Sequence, residues 1–324
     1  MKRIVFLLEE KWHTESLPDA AAAVRAFREY GFDADLWILG EQEAADAVPG
    51  SCDTLFIADS ARLLRQLAEA GKAFCAYSHS GNSGSQSGNS GSQIGKSGSH
   101  SGNSGEDLSA AEYILMEPQW VDRDSLVKIW QRQRNIPWTI LETERCIVRE
   151  FVPEDIDALY DLYDEEARCF LEPPSRNRSL EREILTSYIR RVYRLCGYGH
   201  WAVICKKTGE LIGRMGFAFP PSPDPVYDPA PDAMFGYLVR SDCRRQGITR
   251  EVGAAILQYG FEKLGFTAIG ADAAVSNTAS DKILRLFSFI PVAEVQKQRY
   301  YILHETDWDH CPARDAQNGA AGTN

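Results

Sequence analysis

The loop "RRQGIT", residues 244–249, lies between an apolar strand and a long helix and has the composition of an anion-binding turn. Gly247 opens the turn, so the first backbone N–H groups of the helix are left for an anion. Such a helix end carries roughly half a unit of positive charge, and Arg244 and Arg245 add cationic side chains. The pattern predicts a site for phosphate or pyrophosphate, although a tight turn with solvated arginines has the same composition.

A second polar segment, "SNTAS", follows the next strand and precedes an amphipathic helix. Asn277 and Ser280 are three residues apart at the start of that helix. This spacing suits side chains that orient a bound molecule, and it equally suits a helix cap.

The elements around these two segments form a regular series. The segment "GYLV" is a strand, residues 249–264 carry apolar stripes typical of a well-buried helix, and "FTAIGADAAV" is a further strand. The series strand, basic loop, helix, strand, Asn-x-x-Ser, helix places both polar segments at helix N-termini.

In these segments the chain resembles the GNAT superfamily of acyl-CoA-dependent N-acetyltransferases, whose signature is R/Q-x-x-G-x-G/A between a strand and a helix. Arg244, Gly247 and Thr249 occupy the three signature positions, and Asn277 and Ser280 match the second motif. The resemblance covers residues 143–308 and is closest to the branch that acetylates N-terminal amines of ribosomal proteins. It implies a mixed-sheet α+β domain, acetyl-CoA as co-substrate, and an amine acceptor that is a protein N-terminus or a small molecule.

The resemblance also implies a cofactor-binding set. In the family a strand splays from its neighbour and lends backbone donors to the pantetheine arm and the thioester, and a loop binds the pyrophosphate. Carried onto this chain, the set is Leu238, Val239, Arg244, Arg245, Gln246, Gly247, Ile248, Thr249, Asn277 and Ser280.

Four positions depart from the family pattern. Thr249 replaces a small residue beside the pyrophosphate, and Ser288 replaces the usual glycine. Leu284 stands where some members carry a tyrosine that protonates the leaving thiolate, and Met234 stands where others have a glutamate. As catalytic base we nominate Asp232, just before the splayed strand, although a carboxylate in the proline-rich loop "PPSPDPVYDPAPD" needs no catalytic role. His200 and Cys205 lie in one predicted strand at an odd spacing, so they face opposite sides and do not form a pair.

The first half of the chain alternates short apolar strands with helices, which predicts a parallel three-layer α/β sheet. The segment "FIADSARLLRQLAEAGKAFCAY" weakly resembles the haloacid dehalogenase-like (HAD) core. The first strand, "FLLEEKW", lacks that family's DxD pair, and Leu63 stands where a second acid is expected. We therefore predict a degenerate HAD-like accessory domain.

Four segments follow from these patterns. We predict an accessory domain over 1–135, a linker over 136–142, an acetyltransferase domain over 143–310 and a disordered tail over 311–324. Within the first domain, residues 78–105 repeat a Gly/Ser-rich heptad with almost nothing apolar, which predicts a flexible spacer.

The amino-acid composition disfavours several classes of function. The 324-residue chain has a formal net charge of −11, which disfavours nucleic acid as the main ligand, and its apolar runs are too short to span a membrane. The eight cysteines show no metal-binding spacing, so we predict no metal and free thiols in the cytoplasm. Two alternatives remain: an acyl-CoA-binding protein without activity, and a HAD-type phosphatase in the first half. The oligomeric state stays open.

Overall fold

The computed structural model describes residues 1–78, 94–96, 107–221 and 226–314. The chain divides into two compact units, Met1–Ile136 and Pro137–Asn324, each with its own sheet. Of the predicted spacer over 78–105, only Ser78 and the short strand over 94–96 lie within the described residues. Among the described residues, no helix combines the length and apolar character that crossing a bilayer requires.

The first unit is built on a six-stranded sheet. Its elements are β1 Arg3–Glu9, α1 His13–Glu29, β2 Asp33–Leu39, β3 Thr54–Ala58, α2 Ala61–Glu69, β4 Ala73–Tyr77, β5 Ile94–Lys96, β6 Tyr113–Leu115 and α3 Arg123–Gln133. The strand order is β2-β1-β3-β4-β6-β5, and all neighbours are parallel except β5 and β6.

Both faces of this sheet are covered, because its strands are apolar on both sides. Ile4 and Phe6 belong to the core that includes residues of α1 and α3, whereas Val5 and Leu7 share a core with α2. The parallel three-layer α/β arrangement predicted for this half is confirmed. The order of the first five parallel strands is the flavodoxin-like one. The HAD-like resemblance stays a prediction.

The second unit is built on an eight-stranded mixed sheet. Its strands are β7 Thr139–Glu142, β8 Cys146–Arg149, β9 His200–Cys205, β10 Leu211–Ala218, β11 Ala233–Val239, β12 Ala268–Ala274, β13 Ile290–Val295 and β14 Gln298–His304. Its helices are α4 Ile156–Asp161, α5 Glu165–Arg168, α6 Arg178–Tyr188, α7 Arg194–Cys196, α8 Ile248–Glu262, α9 Thr278–Leu286 and α10 Glu305–Asp309, with a π-helical turn over Ile189–Tyr193. The strand order is β13-β14-β12-β11-β10-β9-β8-β7, antiparallel except for β11 and β12.

This sheet separates two cores. Helices α8 and α9 contribute Val252, Ile256 and Leu284 to the core on one face. Helices α4 and α6 cover part of the other face, where Leu159 and Leu185 pack in a smaller core. The mixed-sheet domain predicted from the sequence is confirmed, and its two faces have different helical covers.

Two predicted boundaries differ from the structure. Thr139–Glu142, placed in the linker, form edge strand β7, because Leu141 and Thr139 pair with β8. At the other end, Cys311 and Ala313, placed in the tail, are 1% exposed and belong to the core. The rest of the predicted tail, from 315 on, lies outside the described residues.

Candidate active site

Strands β11 and β12 separate from each other part of the way along their length. They are paired only at Ala233 with Ile269 and at Met234 with Gly270. Beyond that point β11 continues to Val239, still paired with β10 on its other side. A wedge therefore opens between two parallel strands, and the backbone of β11 facing it has no β12 partner. Leu238 and Val239, expected to contact the pantetheine arm, lie in this unpaired stretch.

The basic loop leads from β11 directly into α8. Gly247 is the N-cap of α8 and has φ +79°, a left-handed conformation that glycine adopts without strain. Because this cap residue provides no side-chain hydrogen bond, the first N–H groups of α8 are not capped from within the loop. The Arg145 guanidinium braces the loop by donating to the Gln246 carbonyl, 2.8 Å away, and by pairing with Glu251.

The two loop arginines have different environments. The Arg244 guanidinium binds the Asp164 carboxylate through two hydrogen bonds of 2.8 and 3.0 Å, and its Nε donates to the Val239 carbonyl. Arg244 thus fixes the loop to β11. Arg245 is exposed, and the described part of the chain offers it no recorded hydrogen bond or ion pair. Arg245 is therefore available to an anion at α8, as is the exposed Arg250 in the first turn of the helix.

The remaining members of the predicted set lie close to these features. Ile248 is buried under the first turn of α8, and Thr249 is half-buried in the same turn. Asn277 is the N-cap of α9, and its side-chain oxygen accepts from the Ser280 N–H at 3.0 Å. Of the two roles left open for Asn277, the structure shows the capping bond.

Asp232, the nominated base, holds β11 to β12 at the closed end of the wedge. One of its oxygens accepts from the Thr267 N–H (2.7 Å), the Thr267 hydroxyl (2.9 Å) and the Ala268 N–H (3.1 Å). Burial raises the pKa of Asp232, but these hydrogen bonds outweigh that effect and leave the pKa below its ordinary value. This geometry fits a clamp between strands better than a base.

A histidine that the sequence left without a role lies beside the wedge. His200 begins β9, and across the sheet it is in register with Gly216 of β10, which in turn pairs with Gly236 of β11. The two residues next to His200 across the sheet are glycines, which have no side chains, so the imidazole extends over them. A Cβ added to Gly236 would lie 2.7 Å from His200 Nε2. The imidazole therefore lies two residues beyond the last β11–β12 pair, Met234 with Gly270, where the wedge begins.

Two tyrosines hold the backbone of this histidine. The Tyr188 hydroxyl accepts from the His200 N–H at 2.6 Å, and the Tyr193 hydroxyl donates to the His200 carbonyl. The π-helical turn over Ile189–Tyr193 widens the helix so that residues five apart face the same way. The start of β9, and with it the imidazole, is thereby fixed in place.

The surroundings of His200 keep its ring neutral. Desolvation of the ring, with the nearby positive charge of Arg214 as a smaller cause, lowers the pKa of His200 to about 3. The residue as a whole keeps part of its surface accessible. A neutral imidazole offers one nitrogen lone pair, so it accepts a hydrogen bond or a proton.

The two family positions that usually hold an acid and a base are filled by apolar side chains in the core. Leu284 is 2% exposed and Met234 9%. Tyr237, in the unpaired part of β11, provides a hydroxyl on the α8 and α9 side. Burial raises the pKa of Tyr237 to about 12, with a smaller opposing effect from the Ser280 hydroxyl, so the phenol stays protonated.

Sequence comparisons define the class of this unit. Residues 145–289 match the family model described as the acetyltransferase (GNAT) domain. A Bacillus subtilis (strain 168) protein named "Uncharacterized N-acetyltransferase YoaA" is 27% identical over 151 residues, which cover 46% of this chain and 82% of that protein.

Two solved structures are similar to part of this chain. The acetyltransferase (GNAT family) from Bacillus anthracis has a TM-score of 0.42 at 18% identity, over 51% of this chain and 98% of that one. The ribosomal-protein-S5-alanine acetyltransferase from Vibrio fischeri has a TM-score of 0.43 at 17% identity, over 52% and 97%.

The C-terminal half of the chain is thus an acyltransferase domain. More particularly, it is a GNAT acetyltransferase domain, as the family match to residues 145–289 shows. The closeness to the ribosomal-protein branch stays a prediction. Among the described residues there is no group of three side chains placed to hold a metal ion.

Proposed function

We propose that this protein transfers the acetyl group of acetyl-CoA directly to a primary amine, with His200 as the group that receives the amine's proton. The observation that carries the proposal is the continuity of β11. Its unpaired half runs from Gly236, beneath the His200 imidazole, into the loop that opens α8. One strand thus connects a proton acceptor to an anion site.

The residues present fit acetyl-CoA. The uncapped N-terminus of α8 and the exposed Arg245 suit the pyrophosphate, and the wedge backbone at Leu238 and Val239 suits the pantetheine arm. When bound, acetyl-CoA supplies a thioester that an amine can attack. Thr249 is half-buried in the first turn of α8.

His200 acts on the amine. Amines are mostly protonated near neutral pH, with pKa values of roughly 10.4 for lysine-type and about 8 for terminal amines. The neutral Nε2 positions the attacking amine by accepting a hydrogen bond from it. The same nitrogen accepts the proton that the amine releases as it forms its new bond.

The backbone and Tyr237 act on the other reacting atoms. Unpaired N–H groups of β11 stabilise the negative charge of the reacting carbonyl oxygen, because they are fixed by the β10 pairing before the reaction begins. The protonated Tyr237 hydroxyl, in place of the tyrosine missing at Leu284, gives a proton to the leaving thiolate and regains one from solvent, while His200 releases to solvent the proton it took from the amine.

The direct test is calorimetry with acetyl-CoA on the full chain, followed by an acceptor screen that measures released thiol. We expect micromolar binding and thiol release with at least one amine. R245Q should weaken acetyl-CoA binding severalfold, because it removes one of the cations at the start of α8, whereas R25Q, an exposed arginine of the first unit, should not. No binding would overturn the proposal. Binding without thiol release from any amine would favour a binding protein without activity.

A further inference from the structure

Arg214 lies in the sheet beside His200 and on the same face. In register it stands between Ala202 of β9 and Leu238 of β11, both of which belong to the core under α4 and α6. Its guanidinium carbon is 6.0 Å from the centre of the Tyr163 ring. Its charge adds to the effect of desolvation in lowering the pKa of His200, and it opposes the larger effect of burial that raises the pKa of Tyr188. Arg214 is thus a half-buried cation facing the acceptor side of the sheet.

Arg214 differs from the other arginines near this face in having no anionic partner. Arg149 binds the Asp155 carboxylate through two bonds of 2.7 and 2.8 Å, and Arg244 binds Asp164 and Glu166. Within the described residues, no ion pair or hydrogen bond involves the Arg214 guanidinium, and its Nε is buried without a partner.

An unpaired guanidinium in this position carries a cost. Charged groups taken out of water are ordinarily paired, and a buried donor left without an acceptor destabilises the folded protein. The Tyr163 ring offsets part of this through its negative face. A planar anion such as a carboxylate, or a phosphate, matches the fork of N–H donors that arginine presents.

We propose that the acceptor of this enzyme is an amine that also carries an oxyanion, a carboxylate or a phosphate, which Arg214 binds. This inference rests on the proposed function, because it places the amine at His200. It names a substrate class: amino acids and aminoalkyl phosphates, as opposed to polyamines or uncharged amines.

The sheet gives the scale of such an acceptor. Gly216 pairs with His200, and Arg214 lies two residues before Gly216 in β10. The two positions are roughly 7 Å apart at the usual rise of a strand. The distance between the imidazole and the guanidinium depends in addition on the conformation of the arginine side chain. An amine and an oxyanion separated by a few bonds therefore reach both groups at once.

Binding of the oxyanion would also change His200. The positive charge of Arg214 is one cause of the lowered pKa of the imidazole, and a bound anion neutralises that charge. The imidazole then becomes a stronger base when an acceptor of the right class is present. The acceptor thus assists in its own deprotonation.

The test compares matched acceptors on the full chain. Glycine, β-alanine and γ-aminobutyrate are each measured against their amides, and 2-aminoethyl phosphate against ethanolamine, with thiol release as readout. For at least one pair we expect kcat/KM to favour the oxyanion by about 10²-fold. In R214Q that ratio should fall to within about threefold of unity, whereas R214K should retain part of it, and acetyl-CoA binding should be unchanged in both. The better of the carboxylate and phosphate arms identifies the anion.

Two results would overturn the inference. One is equal turnover of acids and amides, or a preference for diamines, by the unaltered protein. The other is an oxyanion preference that R214Q leaves intact. Neither affects the proposed function, which fails separately if the unaltered protein does not bind acetyl-CoA or releases no thiol with any amine. Folding of each variant is checked by its acetyl-CoA affinity, a readout that does not involve the acceptor.

Discussion

The two sheets differ in how the ionisable side chains beside their strands are bonded. In the first unit, the carboxyl ends of β1 and β3 carry Glu9 and Asp59, at the point where an α/β sheet of this order ordinarily binds ligands. In the second unit, the wedge between β11 and β12 is bordered by His200 and Arg214. Both edges have ionisable side chains. The difference lies in what those side chains bind.

In the first unit, the charged side chains at these strand ends bind other groups of the same unit. The Glu9 carboxylate, 4% exposed, accepts from Arg62 Nε at 2.6 Å and pairs with Lys11 at 2.9 Å. Arg62 also donates to the carbonyls of Glu43 and Gly40, and Asp59 accepts from the Glu9 N–H. Burial raises the pKa of Glu9, but Arg62 and Lys11 outweigh it and lower the pKa overall. These bonds hold the two carboxylates against neighbouring groups of the same unit.

At the second edge the protein leaves its groups available. Nε2 of His200 lies over a glycine, Arg214 has no carboxylate partner among the described residues, and β11 beyond Met234 has no β12 partner on one of its sides. The comparison teaches that an ionisable cluster indicates function when its hydrogen-bonding capacity is unused. Four predictions test this difference between the two units, in order of decreasing expected effect.

Replacing His200 with glutamine should lower kcat/KM for acetyl transfer by about 10²-fold or more, the usual contribution of a positioned proton acceptor. The amide is close in size to the imidazole but does not accept the amine's proton. Thiol release under saturating acetyl-CoA measures the effect, and H304Q, at the exposed end of β14, is the matched control. A loss smaller than threefold would remove His200 from the mechanism.

Replacing Arg62 with methionine should destabilise the first unit by about 2–4 kcal/mol, because it leaves the buried Glu9 carboxylate with Lys11 alone. Urea unfolding measures the change, and R65M, an exposed arginine on the same helix, is the control. Acetyl transfer should stay within twofold. A large loss of kcat/KM with little loss of stability would instead assign this edge a functional role.

Replacing Asp232 with asparagine should cost about 1–2 kcal/mol of stability, since the side chain loses charge-assisted bonds to Thr267 and Ala268. Activity should change less than threefold. The exposed Asp161 provides the control variant D161N. A hundredfold loss of kcat with an unaltered unfolding curve would restore Asp232 as the base.

The pH dependence of stability should report His200 with the smallest effect. Its pKa in the folded protein, about 3, lies below the ordinary value of 6.5, so the unfolded chain binds the extra proton as pH falls. This contribution is complete above pH 6.5 and is lost as pH falls toward 3. Between pH 7 and pH 6 the unaltered protein should lose about 0.7 kcal/mol more than H200Q. Parallel curves for the two proteins would contradict a neutral, enclosed imidazole.

The sequence predicts those parts of the site that depend on local backbone chemistry. Gly247 was identifiable because a strand, a glycine and a helix are consecutive in the chain, and Asn277 because a cap acts within three residues. The parallel sheet of the first unit followed from strand composition, which is also local.

The roles of His200, Arg214 and Asp232 depend on register across strands, which the sequence does not display. His200 matters because Gly216 and Gly236 stand beside it in the sheet, although 16 and 36 residues separate them from it in the chain. A signal existed in those two strand glycines, since glycine inside a strand often marks a close approach. Asp232 drew attention by its position in the chain, but its hydrogen bonds to residues 35 and 36 positions away define it as a clamp.

The central claim is that the His200 imidazole over Gly236 is the point where the amine reacts, and a double-mutant cycle on kcat/KM tests it most directly. In G236A the added Cβ, 2.7 Å from Nε2, must displace the ring. We predict that G236A lowers kcat/KM by at least tenfold alone but by less than threefold in the H200Q background. Independent, multiplying losses from the two substitutions would contradict the account.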